Sequence, residues 1–73
     1  MDADIFLEGV VEECLPNGMF KIKAQGFVIS SHLGGNLRRN SIKLVLGDKV
    51  IVKLDPYDLS SGRVVYRFSE RKI

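Results

Sequence analysis

Apolar and polar side chains alternate along this chain in short runs, and turn-forming residues cut each run off. A period of two is the signature of strands half-buried on a core, and short strands with regular turns favour an all-β sandwich or barrel. The clearest run is Met19–Ala24, with Phe20, Ile22 and Ala24 on one face and Met19, Lys21 and Lys23 on the other. In the fourth run Val50, Val52 and Leu54 alternate with Lys49, Ile51 and Lys53. In the last, Arg63–Phe68, the alternation places Val64, Tyr66 and Phe68 inward and Arg63, Val65 and Arg67 outward. Phe27–Leu33 is a third strand of ambiguous facing, since Phe27, Val28 and Ile29 are all apolar. The first strand runs from Ile5 to Leu15, with a bulge or bend expected at Gly9.

Pro16-Asn17-Gly18, Gln25-Gly26 and Gly47-Asp48 are turns, and Asp55–Gly62 reads as a loop. Gly34-Gly35 ends the third strand, and Asn36 is placed to cap a helix of one or two turns over Leu37–Ile42. Leu37 and Ile42 would anchor that segment, leaving Arg38, Arg39 and Lys43 outward. Five strands with a helical segment between the third and fourth describe an OB-type barrel. An SH3-like barrel is the alternative, but the long insertion after the third strand fits it less well.

With 73 residues there is room for one domain. The reading takes residues 1–73 as that domain, with 1–4 and 69–73 frayed. Cys14 is the only cysteine, so no disulfide supports the fold, and one Cys with one His makes a poor zinc site. Stability has to come from a packed apolar core, consistent with 45% hydrophobic residues. The longest apolar runs fall far short of the roughly 20 residues of a spanning helix. The acidic start, Met1-Asp2-Ala3-Asp4, resembles neither a signal nor a transit peptide. A protein used where it is made, in a reducing compartment and away from membranes, is expected.

The charge is distributed unevenly. Residues 1–20 hold five acids and no base, whereas residues 21–73 hold all eleven Lys and Arg against four acids. Such asymmetry suggests a side that binds polyanions. Catalysis is not expected: no nucleophile, base and orienting group stand in a motif, and no Gly-Lys-Ser/Thr follows Gly34-Gly35. The outward cations Lys21, Lys23, Arg63 and Arg67, with Arg38, Arg39 and Lys43, suit phosphate contacts instead. Lys49 and Lys53 read as an ordinary wet face. Alternation assigns Phe20 and Tyr66 to the core and leaves Phe27 undecided. Few exposed rings are therefore expected, which favours docking onto structured RNA over avid single-strand binding.

Three blocks of residues are also familiar together: Leu15-Pro16-Asn17-Gly18-Met19-Phe20, Gly47-Asp48-Lys49-Val50, and Pro56 through Arg67. In order and spacing they resemble bacterial and plastid translation initiation factor one, over nearly the whole span from Glu8 to Arg67. The resemblance implies an OB fold, no metal or cofactor, and binding in the aminoacyl site of the small ribosomal subunit. It implies rRNA and a neighbouring ribosomal protein as partners, and cooperation with initiation factors two and three in selecting initiator tRNA. By position it assigns His32, Asn36, Leu37, Arg38 and Arg39 to the rRNA-facing segment, and Arg63 and Arg67 to the basic last strand. Met19, Lys21, Lys23 and Lys43 complete the expected RNA-binding set. His32-Leu33-Gly34-Gly35-Asn36 lacks one cation usual in that family. The implied location is the bacterial cytoplasm or, for a plastid-encoded protein, the chloroplast stroma, with a monomer off the ribosome. A cold-shock-type RNA chaperone and a protein-interaction barrel are the competing readings.

Overall fold

The first strand holds the barrel together by pairing on both sides. In the computed structural model, which describes residues 4–39 and 43–68, β1 (Phe6–Cys14) pairs antiparallel with β4 (Lys49–Asp55) through Phe6–Val10 and with β2 (Met19–Ala24) through Val10–Cys14. β3 (Phe27–Leu33) continues antiparallel from β2, and β5 (Asp58–Arg67) pairs antiparallel with β4. A parallel β3–β5 contact over Ser30–Leu33 closes the ring in the order β1-β2-β3-β5-β4. This is the expected five-stranded OB-type barrel. The helical segment is a single five-residue helix, α1 (Gly35–Arg39), between β3 and β4.

The core follows the alternation. Ile22, Ala24, Val50, Val52, Leu54 and Val64 are buried as expected, joined by Val11, Ile29, Leu37 and Leu44. Phe20 packs against this cluster from a half-buried position. Ile29 resolves the ambiguity of β3 by turning inward, while Phe27 and Val28 stay exposed.

Four local expectations need correction. The bulge of β1 lies between Val11 and Glu13, not at Gly9, which pairs regularly with Val50. Gly9 is needed for close approach: a Cβ there would come within 2.7 Å of both Ile22 Cγ2 and the Lys23 carbonyl oxygen. The helix runs over Gly35–Arg39 rather than from Leu37 onward, so Asn36 lies within it; Ile42 lies outside the described residues.

The loop assigned to Asp55–Gly62 is mostly strand. Asp55 pairs with Asp58 across the short Pro56-Tyr57 turn, and the ladder then shifts so that Leu54 faces Gly62. Leu59, Ser60 and Ser61 bulge between those pairs, held by the Asp58 carboxylate. It accepts from the Ser60 hydroxyl at 2.7 Å, the Ser60 N–H at 3.1 Å and the Ser61 hydroxyl at 3.2 Å. These turn-forming residues thus satisfy a strand irregularity rather than a free loop.

Finally, Tyr66 is not core. Val52 pairs with Val64 and Ile51 with Tyr66, so Val65 is an extra residue on β5 and reverses the facing beyond it. Tyr66 lies outward beside Ile51, 50% exposed, in an edge-on contact with Phe68 at 5.1 Å between ring centroids. Arg67 moves to the face opposite that of Arg63, paired with Val50 and half-buried.

The Asp58 network carries a pH signature. The Ser60 hydroxyl first, then the Ser60 N–H, hold the Asp58 carboxyl below its ordinary value. A carboxyl depressed in the folded state adds stability above its unfolded pKa of about 3.9 and loses it as pH falls through the lower folded value. In urea titrations, Asp58→Asn should therefore trail the native chain at pH 7, and the difference should shrink below about pH 4. A difference that does not change with pH would count against the charged carboxylate as the cause.

Candidate nucleic-acid interface

Cross-strand pairing lines up the outward side chains in rows. Met19 of β2 pairs with His32 of β3, His32 with Arg63 of β5, and Arg63 with Lys53 of β4. A second row runs Lys21–Ser30–Ser61 across three of those strands, β2, β3 and β5. Facing residues on paired strands project to one side, so the two rows form one polar surface. An open groove crosses it, lined by Met19, Ser30, His32, Lys53, Ser61 and Arg63. The β4–β5 turn walls one side with Pro56 and Tyr57, and Asp4 and Asp55 also line the groove. Tyr57 is 95% exposed, while its N–H donates to Asp55 Oδ1 at 2.9 Å, which fixes the turn beneath the ring.

The predicted residues divide into groups. Met19, His32 and Arg63 meet in the groove, with Lys21 in the adjoining row. Lys23 is exposed in the next row, between Val28 and Val10. Arg39 and Lys43 are exposed on the connection from β3 to β4. That connection is tied to β1 where the Gly47 N–H donates to the Val11 carbonyl and the Val11 N–H to the Asp48 carbonyl, each at 2.9 Å. The Asp48 carboxylate tightens it by accepting from the Val45 N–H at 3.0 Å. Asn36 and Arg38 lie on α1.

Two residues depart from the expected set. Leu37 is buried in the core cluster, so it anchors α1 rather than presenting a side chain to RNA. Arg67 does not share a face with Arg63; it is half-buried, and its Nη1 donates to the Lys43 carbonyl at 3.2 Å. The Val65 bulge is the reason for this split.

Sequence reasoning missed two features. Lys53, read as an ordinary wet-face lysine, closes the Met19–His32–Arg63 row. Exposed rings are also more common than expected: Tyr57, Phe27 at 68%, Phe6 at 52% and Tyr66. Tyr57 could have been found from its place beside Pro56 in a two-residue turn. The outward turn of Tyr66 had no local signal.

The strand lysines are not equivalent electrostatically. Lys21 meets Glu13 at 3.8 Å, Lys49 meets Glu8 at 3.7 Å and Lys53 meets Asp4 at 3.7 Å. Among the described residues, Lys23, Arg39, Lys43 and Arg63 make no ion pair. No cluster of three or more His, Cys, Asp or Glu side chains among the described residues could hold a metal ion. Nor is any described helix long and apolar enough to cross a membrane.

No family model matches the chain. Among solved structures, the barrel is similar to translation initiation factor one from the Wolbachia endosymbiont strain TRS of Brugia malayi. The TM-score is 0.76 at 31% identity, over 92% of this chain and 80% of that one. It also superposes on part of YjeQ from Thermotoga maritima with a TM-score of 0.71 at 24% identity, over 88% of this chain but only 23% of that protein. The second likeness concerns the fold alone.

Proposed function

Since the chain belongs to the translation initiation factor one family, we infer that it acts, without catalysis, on the small ribosomal subunit at the start of translation. It docks in the aminoacyl site, keeps tRNA out by occupancy, and works with initiation factors two and three in selecting initiator tRNA. Its contacts are small-subunit rRNA and a neighbouring ribosomal protein, and off the ribosome it is a monomer. Its setting is the bacterial cytoplasm or, for a plastid-encoded copy, the chloroplast stroma. Any effect on subunit conformation requires tighter binding to one subunit state than to another.

The observation that carries this reading is the row Met19–His32–Arg63–Lys53, in which Arg63, between His32 and Lys53, has no acidic partner among the described residues. Fixed cations on a rigid sheet release counterions when they meet phosphates, and an arginine fork adds directional hydrogen bonds. Arg38 and Arg39 belong to α1, which follows β3, and Arg39 is exposed.

The test is equilibrium binding to isolated ribosomal subunits at several salt concentrations. Salt-sensitive binding to small subunits, displaced by tRNA in the aminoacyl site, is expected. The double variant Arg38→Ala, Arg39→Ala should lose about tenfold or more, roughly 1.4 kcal/mol, with its circular dichroism unchanged. Equal affinity for large subunits would overturn the reading.

The exposed Phe27 and Tyr57 rings favour a second reading, single-strand RNA binding of the cold-shock type, because bases stack on such rings. It predicts tight binding to bare oligonucleotides and no preference for small subunits.

A further inference from the structure

The three strand ion pairs have one origin. Asp4, Glu8 and Glu13 all belong to β1 or the residues leading into it, and their partners Lys53, Lys49 and Lys21 stand on the two strands that flank β1. The spacing is regular on the β4 side. Phe6 lies opposite Lys53 and Val10 opposite Lys49, and the acid in each case is the β1-side residue two positions earlier, Asp4 and Glu8. On the β2 side Glu13 is directly opposite Lys21. Lys23 is opposite Val10 and has no such neighbour.

Stability does not explain this arrangement. The six side chains are between 37% and 58% exposed, and the charged atoms are 3.7–3.8 Å apart. Exposed pairs of this kind add little to folding. Their effect on the surface field is larger, because each carboxylate cancels the charge of a lysine that would otherwise attract phosphate. Among the described residues, Arg63, Lys23, Arg39 and Lys43 make no ion pair, and of these Lys23 also stands beside β1, opposite Val10. Lys53 lines the groove beside Arg63, and Asp4 enters the same groove.

We propose that Asp4, Glu8 and Glu13 are specificity determinants that confine polyanion binding to the remaining cations, Arg63, Lys23, Arg39 and Lys43, by neutralising Lys53, Lys49 and Lys21. The acids thereby suppress adhesion to bulk RNA and leave binding to a target that matches the remaining cations in shape. The proposal rests on the RNA-binding reading, but it concerns nonspecific binding and is tested without ribosomes.

The probe is a fluorescent single-stranded homopolymer, oligo(U), titrated against the full chain from low to moderate salt. The isosteric variant Asp4→Asn, Glu8→Gln, Glu13→Gln should bind at least tenfold more tightly at low salt. Its dependence of log K on log salt should steepen by about 0.7 for each uncovered phosphate contact, to a maximum of about 2. Lys49→Gln supplies the second arm. In the native chain it should change oligo(U) affinity less than twofold, because that charge is already cancelled. In the triple variant the same change should lower affinity several-fold. The proposal is overturned if the triple variant keeps the native affinity and slope, including the case where neither protein binds. It is equally overturned if Lys49→Gln weakens the native chain as much as the variant. Failure to bind small subunits would leave these outcomes unaffected and would bear only on the initiation-factor reading.

Discussion

Arg63→Ala should weaken binding to the small subunit by about 1.5–3 kcal/mol, or ten- to a hundredfold, while leaving the fold intact. Arg63 is exposed on β5, paired on one side with His32 and on the other with Lys53, at the middle of the outward row. No acid neutralises it among the described residues, and Lys53, the nearest cation on β4, is already engaged by Asp4. Its guanidinium can therefore give its full charge and its paired donors to one phosphate. Losing that contact should also flatten the salt dependence by about one phosphate equivalent, roughly 0.7–0.9 in slope. Arg63→Lys should recover the slope but only part of the affinity, because a lysine carries the charge without the fork. Subunit titrations with all three proteins at several salt concentrations separate these terms. Unchanged affinity and slope in Arg63→Ala would remove the groove from the RNA-binding surface.

The largest loss of stability is expected from Gly62→Ala, at about 2–3 kcal/mol. Gly62 is buried where β5 lies against β4 and β3, paired with Leu54 on one side and Ser31 on the other. A Cβ at that position would stand 2.7 Å from the Lys53 carbonyl oxygen and 2.8 Å from Val52 Cγ1. A backbone oxygen in a ladder cannot swing aside as a side-chain tip can, so the methyl group must push β5 away from β4. That shift acts on the β3–β5 contact that closes the barrel and on Arg63 next in the chain. Gly35→Ala is the control: a Cβ added there would meet nothing within 4 Å, so a change within about 0.5 kcal/mol is expected. Urea midpoints for the two variants make the comparison. If Gly62→Ala matched Gly35→Ala, the β4–β5 junction would have to be looser than these distances indicate.

Much of the candidate site is legible in the sequence because its parts are local. Alternation alone assigns Met19, Lys21 and Lys23 outward, and their strand has the expected bounds and facing. His32 and Arg63 stand out in different segments, and the parallel β3–β5 register brings them together. Leu37 and Arg67 depart from expectation for different reasons. Leu37 enters the RNA-binding set by its position in a family pattern, although its apolar character already suits it to anchor the segment, and it is buried. Arg67 follows from an unbroken alternation starting at Arg63, but one extra residue at Val65 places it on the opposite face.

Taken alone, the order of residues determined the first four strands within a residue or so, the inward faces of β2 and β4, the five-stranded barrel and the family likeness. Each is set by neighbours a few positions apart or by the spacing of turn formers, which one dimension records. Only the folded barrel decided which cations keep their charge, because that depends on β1 lying between β2 and β4 and bringing Glu13, Glu8 and Asp4 beside three lysines. It also decided the facing of Tyr66 and the place of Lys53 beside Arg63. Register and strand neighbours are long-range pairings, and a shift of one residue in either reverses a face without altering any local pattern.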